Sequence, residues 1–164
     1  MKGYIEQYSE VTKLLLREKR GLVVLAGGPY LEYADAARHA GDRLVCMAEE
    51  LEGQRPVDVW VPTRDFSTPD VRALDRGVRT VVFRSLAFGT RHFVGCRGGI
   101  GRTGLFMACV AKAVGVREPV AVVREQYDER AVETARQAKF VADYKPGAWR
   151  HLIPLWAAVG KLSR

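Results

Sequence analysis

Five residues separate Cys96 from Arg102, three of them are glycines (Gly98, Gly99 and Gly101), and Thr103 follows the arginine. The apolar run Phe93-Val94 leads in and the apolar run Leu105 to Val114 leads out, so a strand, a glycine-rich turn and a helix are expected in that order. A thiol becomes a useful nucleophile only when ionised, so the chemistry demands positive charge around the sulfur. Three sources are at hand: the N–H groups of Arg97 to Arg102, which the glycines allow to converge, the positive end of the following helix, and the Arg102 guanidinium. The same donors suit the three non-bridging oxygens of a phosphoryl group, two of which a guanidinium can meet at once. Cys96, Arg102 and Thr103 are therefore candidate catalytic residues, with the Thr103 hydroxyl free to donate to the sulfur and make it a better leaving group. Arg97, Gly98, Gly99, Ile100, Gly101 and Arg102 are the candidate phosphate-binding residues. Taken singly, a cysteine packs and a glycine turns; taken in this order, the set reads as an anion cradle with a nucleophile at its base.

Residues Cys96 to Gly104 resemble the cysteine-dependent protein tyrosine phosphatase superfamily, and are most similar to its dual-specificity branch. The resemblance implies a phosphatase-like fold and a phosphocysteine intermediate, with Cys96 as nucleophile, Arg102 as phosphate clamp, no metal and no cofactor. It extends to Pro62-Thr63-Arg64-Asp65-Phe66-Ser67-Thr68-Pro69, similar to the loop that carries the general acid, which points to Asp65. It extends also to Ala131-Val132-Glu133-Thr134-Ala135-Arg136-Gln137, similar to a segment whose glutamine orients the hydrolytic water, which points to Gln137. Physically, the leaving oxygen needs a proton as the P–O bond breaks, so a neutral acid must stand opposite the sulfur. Asp70 and Asp58 are weaker candidates, the first reading as a helix-dipole partner and the second as a strand residue. The sequence departs from the family at Gly95, where a histidine usually precedes the cysteine. At Ile100 the related phosphoinositide phosphatases usually carry a lysine, which turns the expectation away from an inositol lipid.

These groups need a scaffold. Apolar positions from Ile5 to Leu16, ending in Arg17-Glu18-Lys19-Arg20, predict an amphipathic helix over 5–19 stopped at Gly21. Leu22 to Ala26, Arg43 to Met47, Val57 to Val61 and Arg91 to Val94 predict four strands, the first two buried on both faces. Helices are expected over 32–39, from Pro69 with Thr68 as N-cap to about Ala87, over 105–114, from Glu118 to about Tyr127 and over 134–144. A last helix containing Trp149 and Trp156 is expected to be divided by Pro154. Strands alternating with helices imply a single α/β domain over 1–164, with a mostly parallel central sheet of four to five strands flanked by helices. In such a sheet ligands sit beyond the carboxyl ends of the strands, which is where the cysteine turn falls.

The chain has 164 residues, a length suited to one core. No run of about 18 apolar residues spans a bilayer, and Met1 to Gln7 lacks a basic-then-apolar leader, so a cytoplasmic location is expected. Cys46, Cys96 and Cys109 lack metal-ligand spacing and read as free thiols, Cys46 and Cys109 as core. The net charge of +7 favours anionic partners, but no basic stripe interleaves with aromatics, so nucleic acid is not the expected one. Three function classes follow: a metal-free phosphomonoesterase acting on phosphotyrosine, and on phosphoserine or phosphothreonine, in proteins; a phosphate-binding module without turnover, favoured by Gly95; or an RNA 5′-phosphatase or sulfurtransferase. A sulfurtransferase would have no use for Asp65.

Overall fold

The computed structural model describes residues 13–18 and 21–163. Among the described residues five strands form one sheet: β1 (Lys13–Glu18), β2 (Gly21–Pro29), β3 (Arg43–Ala48), β4 (Val59–Thr63) and β5 (His92–Cys96), in the order β1-β2-β5-β3-β4. β2, β5, β3 and β4 run parallel, and β1 pairs antiparallel along the free side of β2. The helices are α1 (Tyr30–His39), α2 (Val71–Phe88), α3 (Gly101–Val114), α4 (Pro119–Gln126), α5 (Ala135–Asp143) and α6 (Ile153–Leu162). Short 3-10 turns follow β3 at Glu49–Leu51 and precede α6 at Ala148–Leu152.

The β-branched and aromatic content of the parallel strands matches their burial, with Val23, Leu25, Leu44, Val45, Phe93 and Val94 all in the core. α3 is apolar nearly all round and only Lys112 and Val114 of its residues escape full burial, so it runs through the centre of the molecule. Because β5 lies between β2 and β3, its carboxyl end opens at the switch point of the strand order. Cys96 is the last residue of that strand and α3 begins five residues later.

The C-terminal segment is fastened to α2 by one carboxylate. Asp75 accepts hydrogen bonds from Tyr144 Oη (2.8 Å), Gly147 N (3.1 Å) and Trp149 Nε1 (2.9 Å). Trp149 stacks on Trp156 at 5.9 Å, as expected of residues that pack the last helices, and Pro154 sits in the first turn of α6 rather than kinking it.

Several expectations are corrected. The segment read as the end of a helix over 5–19 is strand β1, while residues 5–12 lie outside the described residues. Leu14-Leu15-Leu16 is a short apolar run that fits either period, and the open edge of β2 supplies a full ladder of partners from Lys13↔Ala26 to Glu18↔Gly21. α2 starts at Val71, and its N-cap is Asp70, not Thr68: the Asp70 carboxylate accepts from Ala73 N at 2.9 Å, satisfying a donor at the third helical position. Asp58 precedes β4 instead of lying within it. α3 starts at Gly101, not Leu105, which places Arg102 and Thr103 in its first turn.

His92, wholly buried at the start of β5 with Nδ1 3.4 Å from Ser85 Oγ, gives a pH prediction. Burial, assisted by the charge of Arg84, pushes its imidazole down from 6.5 to about 4. The unfolded chain binds this proton first, so its stabilising contribution is intact above pH 6.5 and is lost as pH falls toward 4. Urea melts should show His92→Leu losing less stability than wild type between pH 7 and 4, by about 3 kcal/mol. Parallel pH profiles would contradict this assignment.

Candidate active site

The turn from Cys96 to Gly101 is folded against the end of β2. Gly99 has φ +72°, and a Cβ there would come within 2.5 Å of Pro29 N, so the loop lies in direct backbone contact with Gly28-Pro29. This contact brings Gly99 N to 3.2 Å from Cys96 Sγ, and the sulfur, 3 % exposed as a residue, receives that N–H at the floor of the turn. Gly95 has no room for a side chain: a Cβ would meet Tyr30 Cδ2 at 2.8 Å and Gly28 O at 2.9 Å. Tyr30 occupies that space, anchored by a 2.6 Å hydrogen bond from its hydroxyl to Pro56 O.

Arg102 extends from the first turn of α3 and is 2 % exposed. Its guanidinium grips Glu50 bidentately, Nη1 to Oε2 at 2.7 Å and Nη2 to Oε1 at 2.8 Å, and Nη1 also donates to Thr63 O at 2.9 Å. Asp65 Oδ1 lies 3.2 Å from Nη2. The hydrogen bond from Arg102 holds the Glu50 carboxyl below the usual carboxylate range, against the opposing effect of burial. Among the described residues, Arg102 Nε and Thr103 Oγ1 are buried without a hydrogen-bond partner. The expected bond from Thr103 to the sulfur is therefore not made in this state. Two unmatched buried polar groups on the first turn of the helix that faces the cradle suit an oxyanion ligand.

The structure thus brings Asp65 to Arg102, and Arg102 and Thr103 to the helix start beside Cys96. Gln137 is wholly buried and takes up a different position from that of a free amide. It is the third residue of α5, closing a capping box with Thr134, and its Nε2 donates to Ser67 O at 3.2 Å. Gln137 therefore braces the loop that carries Asp65. Asp70 is a helix cap, and Asp58 accepts from Leu44 N at 2.7 Å while pairing with Arg38 and Arg43. Arg97 and Gly98 are exposed at the rim and Ile100 is half-buried. Burial pushes the Cys46 thiol up to about 11, and the Cys109 thiol upward too, so both remain neutral core groups.

Four residues belong to the site without having been singled out by their sequence. Glu50 and Tyr127 hold the arginine and the loop; the Tyr127 hydroxyl donates to Gly99 O. Glu133 lies over the start of α3, its Cδ only 2.8 Å from where a Gly101 Cβ would stand. Phe66 follows Asp65 with φ +54° and is 61 % exposed, an apolar ring held in a strained conformation beside the acid. A buried arginine calls for a carboxylate partner, and the Glu49-Glu50 pair after β3, at the same carboxyl end of the parallel strands as Cys96, is the available signal.

Known proteins support the same grouping. An uncharacterized protein of Methanocaldococcus jannaschii, MJECL20, is 40% identical over 86 residues, 52% of this chain and 58% of its own length. The chain thus spans little more than half of that curated relative. The crystal structure of Tk-PTP in its active form superposes with a TM-score of 0.63 at 21% identity, over 81% of this chain and 95% of that one. Kinase associated phosphatase, crystallised with its catalytic cysteine replaced by serine, gives 0.62 at 16% identity, over 82% and 93%. At these identities the two structures show a shared fold. Residues 47–151 match the model of PTP-SAK, the DSP-PTPase phosphatase domain of Swiss Army Knife proteins, and the chain belongs to that family of cysteine-dependent, dual-specificity-type phosphatases.

Proposed function

We propose that this chain is a metal-independent phosphomonoesterase that hydrolyses phosphotyrosine in proteins, with 1–164 acting as one catalytic domain in the cytoplasm. The observation that carries this reading is the meeting of Arg102 with Asp65 at 3.2 Å, beside a loop whose Gly99 N–H rests on the Cys96 sulfur. In the first step Cys96 Sγ attacks phosphorus, the S–P bond forms and the P–O bond to the substrate breaks. Asp65 delivers its proton to the departing oxygen. The phosphoryl oxygens are taken by the backbone N–H groups of Arg97 to Arg102 and by the guanidinium, where a substrate oxygen displaces Asp65 from Nη2. In the second step water attacks phosphorus, its proton passes to the Asp65 carboxylate, and the S–P bond breaks to release phosphate and the thiolate. Gln137 braces the Asp65 loop through Ser67 in the first step, and in the second its amide turns from that contact to orient the water.

Phe66 supports an aryl substrate. Its exposed ring beside Asp65 offers a stacking surface to a phenyl group, and an aromatic pair contributes roughly 1 kcal/mol beyond its buried area. The purified chain in the presence of EDTA is expected to favour a phosphotyrosine peptide over its phosphoserine counterpart. Phe66→Ala should lower kcat/KM on the former about fivefold and leave the latter nearly unchanged. Preference for a 5′-phosphorylated RNA or an inositol lipid would overturn the substrate assignment. Binding of phosphate without any turnover would favour a recognition module, the reading that Gly95 favours.

A further inference from the structure

The cradle must present its N–H groups inward although nothing at position 95 can brace it from behind. Gly95 is packed against Tyr30 and Gly28, so any brace has to come from another direction. One hydrogen bond reaches the crest of the loop from the side: Tyr127 Oη donates to Gly99 O. Tyr127 stands directly after α4, and its ring is wedged beside β2, with Cε2 2.7 Å and Cζ 2.8 Å from where a Gly27 Cβ would lie. Any side chain at Gly27 would push this ring out. The hydroxyl is thus delivered from a fixed platform of β2 and α4 to a loop that itself rests on Gly28-Pro29.

Resting on the phosphatase reading above, we propose that Tyr127 is the positioning residue of the cradle: its hydroxyl fixes the Gly99–Ile100 peptide so that the Ile100 N–H faces the bound phosphoryl group. The peptide unit is planar, and no cis peptide is present among the described residues. In a trans unit the C=O and N–H point in opposite directions. Drawing Gly99 O outward to Tyr127 therefore turns Ile100 N inward, on the side where Gly99 N already meets Cys96 Sγ. Without the hydroxyl, Gly99, at φ +72° and with no side chain, is free to rotate this peptide and direct a carbonyl oxygen at the anion. Burial, reinforced by the nearby Cys96, pushes the phenol well above its ordinary value, so Tyr127 remains a neutral donor throughout the working range.

Tyr127→Phe removes the hydroxyl and keeps the wedged ring. Titration with tungstate, a phosphate mimic that needs no turnover, should show binding weakened about tenfold relative to wild type. kcat/KM on an aryl phosphate should fall by a similar factor, with the melting temperature within about 2 °C of wild type. A merely structural role would do the reverse, lowering the melting temperature while the folded protein binds tungstate normally, and would overturn the proposal. So would a variant equal to wild type in both binding and rate. Wild type that binds tungstate but turns nothing over would sink the phosphatase reading alone, since the comparison of affinities still decides the role of Tyr127.

Discussion

Cys96→Ser is expected to lower kcat on an aryl phosphate by about 10⁴ or more while leaving tungstate binding within a few-fold of wild type. The substitution exchanges sulfur for the smaller oxygen at a site 3 % exposed, where Gly99 N–H can still donate to it. What is lost is the nucleophile: sulfur attacks phosphorus far more readily than a serine hydroxyl with no adjacent base. Cys46 cannot take over, because burial raises its thiol to about 11. Steady-state kinetics with circular dichroism as a folding control reads this directly. A serine variant that keeps more than a tenth of the rate would remove Cys96 from the chemistry.

Glu50→Ala carries the second large effect, and it acts on stability and rate together. Arg102 is 2 % exposed and Glu50 supplies two of its close hydrogen bonds; removing the carboxylate leaves a buried guanidinium with Thr63 O and the half-exposed Asp65. Stranding one member of a fully buried pair costs about 3–5 kcal/mol, and because the Glu50 side chain is 32% exposed the cost here falls below that range, at about 2–3 kcal/mol. The rate should fall about 10²-fold, since an Arg102 no longer held at Glu50 is free to close fully on Asp65 and withdraw both from the cradle. Glu50→Gln, which preserves one hydrogen bond, should fall between the two. Urea melts and kcat/KM measured on the same preparations would show a Glu50→Ala protein as stable and active as wild type if the pair has no such role.

What the sequence disclosed follows from how local each feature is. Cys96, the glycines and Arg102 lie within one turn, so their chemistry could be read from spacing, and the four parallel strands and α3 carry their own apolar runs. Asp65 is brought to Arg102 by the tertiary fold, and only its loop's likeness to a known family pointed to it. Glu50 is 52 residues from its partner, in a two-glutamate turn where nothing local distinguishes which side chain enters the site. The same is true of Tyr127, whose hydroxyl meets a carbonyl 28 residues away. Gln137 was found for its place in a segment, yet Thr134 three residues earlier makes a capping box that engages the same amide. Three leucines in succession satisfy either period, so the sequence alone does not separate helix from strand at β1, and the open edge of β2 decides it.

The most direct test of the account is to trap the intermediate. Wild-type protein mixed with an aryl phosphate, quenched in acid within milliseconds and digested, should yield by mass spectrometry a peptide containing Cys96 with the mass of one added phosphoryl group on its sulfur. Cys96→Ser treated in the same way should yield none. A phosphoryl group on another residue, or full turnover by wild type with no labelled Cys96 at any quench time, would contradict a phosphocysteine mechanism at this site.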